Sequence, residues 1–427
     1  MNETDQLLEI FLRSTGVTID SRNIGEGNIF FGLKGEHSDG NIYTSAAISQ
    51  GAICAVIDNK DFFIEGKTIL VDDSLIALQQ LAKKYREQLD IPVIGLTGSN
   101  GKTTTKELIH AVLSQKFKTF ATKGNLNNHI GVPLSILSIR PEHEFAVIEM
   151  GANHQREIDF LCTIAQPKYG LITNIGLAHL EGFGGPEGVK KGKAELFEYI
   201  KKTGGILFVN TGEKKLEDVY RGYDKVVRYG LQGDEDLSAI IKSKNQFATV
   251  EIHGVEIHSH LIGNYNADNI TAAACIGNYF GVEDKDIKVA IENYIPSNNR
   301  SEFRKIGENY FILDAYNANP SSMTAALRSF AAFQSDSKIA ILGDMLELGD
   351  YAETEHQKIF DLATTAGFEE VIFVGPVFSK IAAEKNGIKV FADSNAAAAY
   401  FKNKNVKGKN ILLKGSRGIK LEKIIEP

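Results

Sequence analysis

Residues 93–105 read VIGLTGSNGKTTT, an apolar run followed by a glycine-bearing turn, a lysine and three threonines. That succession of residue types suits a chain of phosphates. Glycines let backbone N–H groups turn inward around phosphate oxygens. A helix that starts at the lysine adds partial positive charge from its N-terminus. Lys102 sets a point charge against the outer phosphates, and the Thr103 hydroxyl is suited to Mg²⁺. Leu96 stands where the common GxxxxGK[ST] loop has its first glycine, so the grip is better written TGSNGKT. The candidate ATP contacts are Gly98, Ser99, Asn100, Gly101, Lys102, Thr103 and Thr104. The bland alternative is an ordinary strand-to-helix turn, which has no need of Gly-Lys-Thr at the helix start.

Mg²⁺ prefers oxygen ligands, so an acid is expected nearby. The apolar run 145–148 ends in Glu149, at the tip of a neighbouring strand. A second run, 171–175, leads into the glycine-rich stretch GLAHLEGFG, which places His179 after a strand on the same edge. His179 is thus a candidate metal or phosphate ligand. The stretch GVKKGKAELF at 188–197 carries Lys190, Lys191 and Lys193. Three lysines there read equally well as a wet helix face, and composition does not single one out.

These groups need a frame. The chain alternates short apolar runs with amphipathic stretches, which predicts an α/β protein with parallel sheets covered by helices. At 427 residues it is too long for one core, and three units are expected. Residues 1–88 hold short strands near 29–33, 53–57 and 68–71, then a helix from Ser74 to about residue 88 with Ser74 as N-cap. Residues 89–300 hold the phosphate loop, with strands at 93–97, 146–149, 171–174 and 206–209, and end in the turn-rich stretch YIPSNNR. Residues 301–427 alternate strands near 310–315, 338–342, 371–374 and 410–414 with helices, as in a doubly wound sheet.

The balance of 47 basic and 54 acidic residues gives a net charge of −7, which argues against a general nucleic-acid binder. Cys54, Cys162 and Cys275 are far apart and show no metal or disulfide spacing, as befits a reducing compartment. The start MNETDQLLEI lacks the apolar core of a signal peptide. No apolar run approaches the ~20 residues of a membrane helix. A cytoplasmic protein without membrane insertion is expected, working as a monomer.

Four stretches in order, TGSNGKTTT, EMGANHQ, TNIGLAHLEGFGG and KGKAELF, resemble the Mur ligases of peptidoglycan synthesis, and the resemblance spans essentially the whole chain. NLNNHIGVP at 125–133, DAYNANPSSM at 314–323, LGDMLELG at 342–349 and LKGSR at 413–417 are similar to the branch that adds D-alanyl-D-alanine to UDP-MurNAc-tripeptide. The DNPR-type motif of the branch that adds the third, diamino residue is absent. The resemblance implies a central ATP-binding P-loop domain, a small N-terminal domain for the UDP end of the substrate and a C-terminal ligase domain. It implies that Lys193 is carbamylated and holds a second Mg²⁺ with His179, while Thr103 and Glu149 hold the first. Lys102, His179 and Lys193 become the catalytic candidates. Asn269 in GNYNADN, Arg300 and Asp314 are implied as further ATP contacts. Ser21, Arg22, Lys34 and Asp39 are implied at the UDP end, and Asn127, Asn128, Asn317 and Asn319 elsewhere along the substrate. Two residues depart from the usual pattern, Asn41 in place of a histidine and Arg156 in place of a glycine, and both look peripheral to the chemistry. A sister ligase adding another amino acid, a non-catalytic nucleotide sensor and a small-molecule kinase are the rival readings.

Overall fold

The structure is a computed structural model that describes residues 3–425 apart from 37, 232, 234, 298, 299, 336, 384, 386 and 405. Among the described residues the strands form three larger sheets and one two-stranded ribbon, visited in chain order. The first sheet aligns Gly16–Thr18, Asn28–Phe31, Cys54–Ile57 and Thr68–Leu70, all parallel. Its two central strands are almost wholly apolar and buried, because both of their faces are covered. Ile29, Phe31 and Val56 pack with Leu7, Phe11, Leu78 and Leu81 of the helices Glu3–Arg13 and Ser74–Arg86. Phe30 and Ala55, one step along each strand, face the other side with Ala47.

Ser74 is not the cap of its helix. Asp73 takes that place, in extended conformation, with its carboxylate accepting the Ile76 N–H at 2.9 Å. Ser74 is the first helical residue, and its hydroxyl donates to the Gly32 carbonyl at 2.9 Å. Of two adjacent capping residues, the carboxylate serves the helix and the hydroxyl is left to tie it to the sheet.

Asn41 is buried completely, not peripheral to its domain. Its amide donates to Asp39 at 2.6 Å and Asp58 at 2.8 Å, and its carbonyl oxygen accepts the Asp58 N–H at 3.1 Å. Asp58 in turn pairs with Lys34 at 2.9 Å. Asn41→Ala leaves two carboxylates without their amide donor, so a loss of about 1–3 kcal/mol in stability is expected. Denaturant unfolding of the variant checks this, and an unchanged midpoint would contradict it.

The middle sheet has nine strands, in the spatial order 255–262, 247–252, 237–241, 226–230, 206–210, 169–172, 93–97, 145–149 and 119–121. The seven strands from Leu237–Ile241 to Thr119–Ala121 are parallel, and the two beyond form an antiparallel hairpin. The chain leaves strand Val93–Thr97 to one side and later returns to its other side at Tyr169–Ile172. Open sheets bind ligands at the carboxyl ends of strands beside such a switch point.

The third sheet runs 302–306, 309–314, 410–414, 338–343, 370–374 and 389–391, parallel except for its first pair. Phe330, Ile359 and Phe360 cover one face, with Leu342 and Phe373, while Ala397 and Leu421 cover the other with Ile341 and Val374. This is the doubly wound arrangement that the alternating pattern predicts. The helix Ser74–Arg86 fastens the first domain to the middle one. Tyr85 Oη donates to the Ile139 carbonyl and Arg86 Nε to the Ala165 carbonyl, each at 2.9 Å.

Candidate active site

Strand Val93–Thr97 ends, the chain turns, and helix Lys102–Leu113 begins. The turn uses left-handed backbone at Gly98 (φ +144°) and Gly101 (φ +77°). A Cβ on Gly98 would sit 2.0 Å from Thr173 Oγ1, and one on Gly101 would sit 2.6 Å from Asn269 Oδ1. Only glycine satisfies both the conformation and the close approach. Lys102 folds back on the turn, its Nζ donating to the carbonyls of Gly98 at 2.8 Å and Ser99 at 3.3 Å. Removal from water lowers its pKa, with Glu149 opposing the shift and Arg300 adding to it. Phosphate oxygens in the loop would give this cation a stronger partner than two carbonyls.

Behind the loop, Thr103 Oγ1 donates to the Glu149 carboxylate at 3.0 Å. Asn127 Nδ2 donates to the same carboxylate at 2.8 Å, and Thr122 Oγ1 accepts the Glu149 N–H at 3.0 Å. Glu149 is only 1% exposed. Lys106, wholly buried, donates to the Thr122 carbonyl at 2.6 Å and lies 3.8 Å from Glu149. The sequence reading missed Lys106. Its signal was helical spacing, since it lies three and seven residues before the buried Ile109 and Leu113. A carboxylate beside a hydroxyl is the kind of hard oxygen donor that Mg²⁺ takes. Among the described residues no cluster of three or more His, Cys, Asp or Glu forms a metal cage.

Strand Tyr169–Ile172 stops earlier than its sequence suggests, which frees Thr173 and Asn174 for the loop. Thr173 Oγ1 donates to the Asn100 carbonyl at 2.7 Å, and Asn174 Oδ1 accepts the Asn100 N–H at 3.0 Å. Beyond them His179, at φ +53°, turns the chain into the short helix Leu180–Phe183, with Nδ1 against the Glu347 carboxylate.

The structure also separates the three lysines. Lys191 is exposed, whereas Lys193 is 1% exposed inside helix Pro186–Thr203. Lys193 Nζ donates to the Ala152 carbonyl at 2.9 Å and lies 4.8 Å from the Phe183 ring centre. Burial drives its pKa well down, Lys102 pushes the same way, and Glu157 and Glu195 oppose. That burial favours the uncharged amine more than water does. Close by, Arg156 takes a left-handed φ of +70° and donates its N–H to Glu195 at 2.5 Å. That backbone suits the glycine of the usual pattern.

The third domain meets the loop directly. Asn319 Oδ1 caps helix Pro320–Ala331 by accepting the Ser322 N–H at 2.9 Å, and its Nδ2 donates to Asn100 Oδ1 at 2.7 Å. Ser321 Oγ accepts the Leu177 N–H at 3.0 Å. Asp314 is held by Lys414 at 2.5 Å, and the Arg300 guanidinium stacks 3.7 Å over Tyr316.

These elements enclose a cleft of about 930 Å³. It is lined by Ser99, Asn100, Gly101, Lys102, Thr104, Asn127, Asn128, Glu149, His179, Asn269, Arg300, Asp314, Asn317 and Asn319. The volume is at the upper end of ligand sites, room for a nucleotide and part of a second substrate. Gly98, Thr103 and Lys193 do not line it; Thr103 and Lys193 are buried behind its wall. Asn128 and Asn317 also serve their own turns, accepting the N–H groups of Gly131 at 2.9 Å and Ala318 at 2.8 Å. Ser21, Arg22, Lys34 and Asp39 line no part of the cleft. They belong to the first domain, where Arg22 is held by Asp20 at 2.8 Å.

The chain matches the Mur ligase family catalytic-domain model at residues 13–94, the Mur ligase middle-domain model at 96–277 and the Mur ligase glutamate ligase domain model at 299–417. It is 36% identical over 423 residues to the UDP-N-acetylmuramoyl-tripeptide–D-alanyl-D-alanine ligase of Bacillus subtilis, with 96% of this chain and 92% of the relative covered. The chain belongs to the Mur ligase family. This Mur ligase is also 34% identical over 419 residues to the Escherichia coli ligase of the same name, covering 96% of this chain and 92% of that one. It superposes on a MurF crystal structure from Acinetobacter baumannii with a TM-score of 0.86 at 31% identity, over 99% of this chain and 97% of that one. On MurF from Thermotoga maritima in complex with ADP the TM-score is 0.83 at 26% identity, with the same coverage. Among the described residues no helix is long and apolar enough to cross a membrane.

Proposed function

We propose that this Mur ligase joins D-alanyl-D-alanine to UDP-N-acetylmuramoyl-tripeptide, driven by ATP, through an acyl phosphate. The observation that carries the reading is its end-to-end likeness to ligases of that name. The meeting of a phosphate loop, a buried carboxylate and third-domain loops in one cleft supports it. A carboxylate is a poor electrophile and must be activated. The terminal carboxylate oxygen of the tripeptide attacks the γ-phosphorus of ATP, and ADP leaves. The amine of the dipeptide then attacks the acyl carbon, loses a proton and expels phosphate.

The protein's share of the first step is positioning and charge neutralisation. In this reading the N–H groups of residues 98–104 and Lys102 hold the phosphates. Asn269 packs beneath Gly101, while Arg300 and Asp314 hold the nucleoside end from the domain junction. Thr103 and Glu149 hold Mg²⁺, with Asn127 steadying the carboxylate. When bound, the metal neutralises charge between the carboxylate and the transferring phosphoryl group. Lys193, whose burial favours the uncharged amine, adds through nitrogen to CO₂ and loses a proton. The resulting carbamate supplies oxygen ligands and, with His179, holds a second Mg²⁺. Asn317 and Asn319 face substrate from the third domain, and Asn127 and Asn128 from the middle one. Ser21, Arg22, Lys34 and Asp39 take the uridine end. The reading has a monomer at work in the cytoplasm.

Phosphate release from ATP and UDP-MurNAc-tripeptide, with each candidate amine in turn, tests the assignment. Release that depends on D-alanyl-D-alanine is expected. Release with a single amino acid instead would favour a sister ligase, and a stable phosphorylated product without any amine would favour a kinase.

A further inference from the structure

We propose that Glu347, on a third-domain loop, is a positioning residue for His179: its carboxylate accepts the hydrogen bond of Nδ1–H and leaves Nε2 turned to the cleft. The middle domain's site is then complete only when the third domain is seated against it. The inference rests on His179 acting in the cleft as proposed above.

Both residues line the cleft, and His179 Nδ1 meets the Glu347 carboxylate directly. Each has left-handed backbone, φ +53° at His179 and φ +62° at Glu347. Non-glycine residues hold that conformation at a cost of about 1–3 kcal/mol each, which the surroundings must sustain. They do so here. The Met345 N–H donates to His356 Nε2 at 2.9 Å, and the Leu346 N–H donates to Ser416 Oγ at 3.0 Å. The Asp344 carboxylate accepts the N–H groups of Val377 at 2.8 Å and Phe378 at 3.0 Å. The three residues before Glu347 are therefore pinned. On the other side, the Glu181 N–H donates to the Glu347 carbonyl at 3.3 Å. The loops approach so closely at Gly349 that a Cβ there would meet Glu181 Cβ at 3.2 Å.

A surface ion pair contributes little to stability, and Glu347 is half exposed. Two strained residues held against each other across a domain junction are better explained by orientation. An imidazole whose Nδ1–H is held by a carboxylate presents Nε2 as a fixed lone pair, and losing such a partner costs about 10–100-fold in activity or metal affinity.

The test uses the intact chain. Imidazole ¹⁵N shifts of His179, assigned with His179→Gln and recorded without ligands, report the tautomer. The Nδ1–H form is expected in the wild type and in Glu347→Gln, whose amide oxygen still accepts, and a mixture is expected in Glu347→Ala. In ligation assays Glu347→Ala should lower kcat by about 10–100-fold with KM for ATP unchanged, and Glu347→Gln should lose less. A His179 tautomer indifferent to Glu347→Ala would overturn the proposal. A tautomer that is lost without loss of kcat would uphold the positioning and instead remove His179 from the reaction.

Discussion

Lys102→Ala is expected to lower kcat for ligation by at least about 10²–10³-fold while the protein still folds. The lysine belongs to the loop itself, and its side chain donates to the carbonyls of Gly98 and Ser99. Truncation therefore removes charge from the γ-phosphate without unseating the strand or the helix. The buried contacts of Thr103 and Thr105 hold the helix start independently, through Glu149 and Asn269. Phosphate release and the thermal unfolding midpoint, measured together, separate the two effects. Turnover at the wild-type rate would remove Lys102 from the mechanism.

Lys193→Ala is expected to lower the ligation rate by about 10²–10³-fold, the size of effect that several kcal/mol of charge stabilisation gives. Short carboxylic acids such as formate or acetate should restore part of it, by supplying the oxygens that the carbamate provided. Some loss of stability should accompany this, because the Ala152 carbonyl loses its donor and the Phe183 ring its neighbour. A melting curve with and without the acid distinguishes rescue of chemistry from rescue of folding. The sign of the pH dependence follows from the same amine. Its lowered pKa shifts the balance toward the uncharged amine, and CO₂ adds only to that form. Acidification below the lowered pKa protonates the amine, so wild-type activity should fall on the acid side and recover with added bicarbonate. Full activity of Lys193→Ala without any additive would refute the carbamate.

The phosphate loop was legible because its chemistry is local. Glycines, lysine and threonine stand within eight residues, and the turn that they form is dictated by their own backbones. Glu149 and His179 were legible through strand ends, a rule of topology that survives in sequence. Lys193 was not legible from composition, because burial is a tertiary property: it looks like Lys191 until the helix docks. Asp73 and Ser74 show the same limit on a smaller scale. Either residue can cap a helix, and only the nearness of the Gly32 carbonyl decides which one does.

The hairpin Phe247–Ile252 and Val255–Ile262 extends the middle sheet, though no strand was placed there at the outset. Its signal was present. Apolar and polar residues alternate on both sides of His253-Gly254, which adopt φ +49° and φ +78° as a two-residue hairpin turn requires. Glu347 had no comparable local mark, and the helical spacing of Lys106 marks its burial but not its partners. Each matters through a partner far away in sequence, Glu347 with His179 and Lys106 with Thr122 and Glu149.

Priming of the peptide acid as an acyl phosphate is tested most directly by following its oxygens. UDP-MurNAc-tripeptide labelled with ¹⁸O in the terminal carboxylate is incubated with the enzyme, ATP, Mg²⁺ and D-alanyl-D-alanine, and the released phosphate is analysed by mass spectrometry. One labelled oxygen in each phosphate is the predicted result, because the carboxylate oxygen that attacks phosphorus leaves with it. Amide product formed with phosphate free of label, the lost carboxylate oxygen appearing in water, would contradict the account.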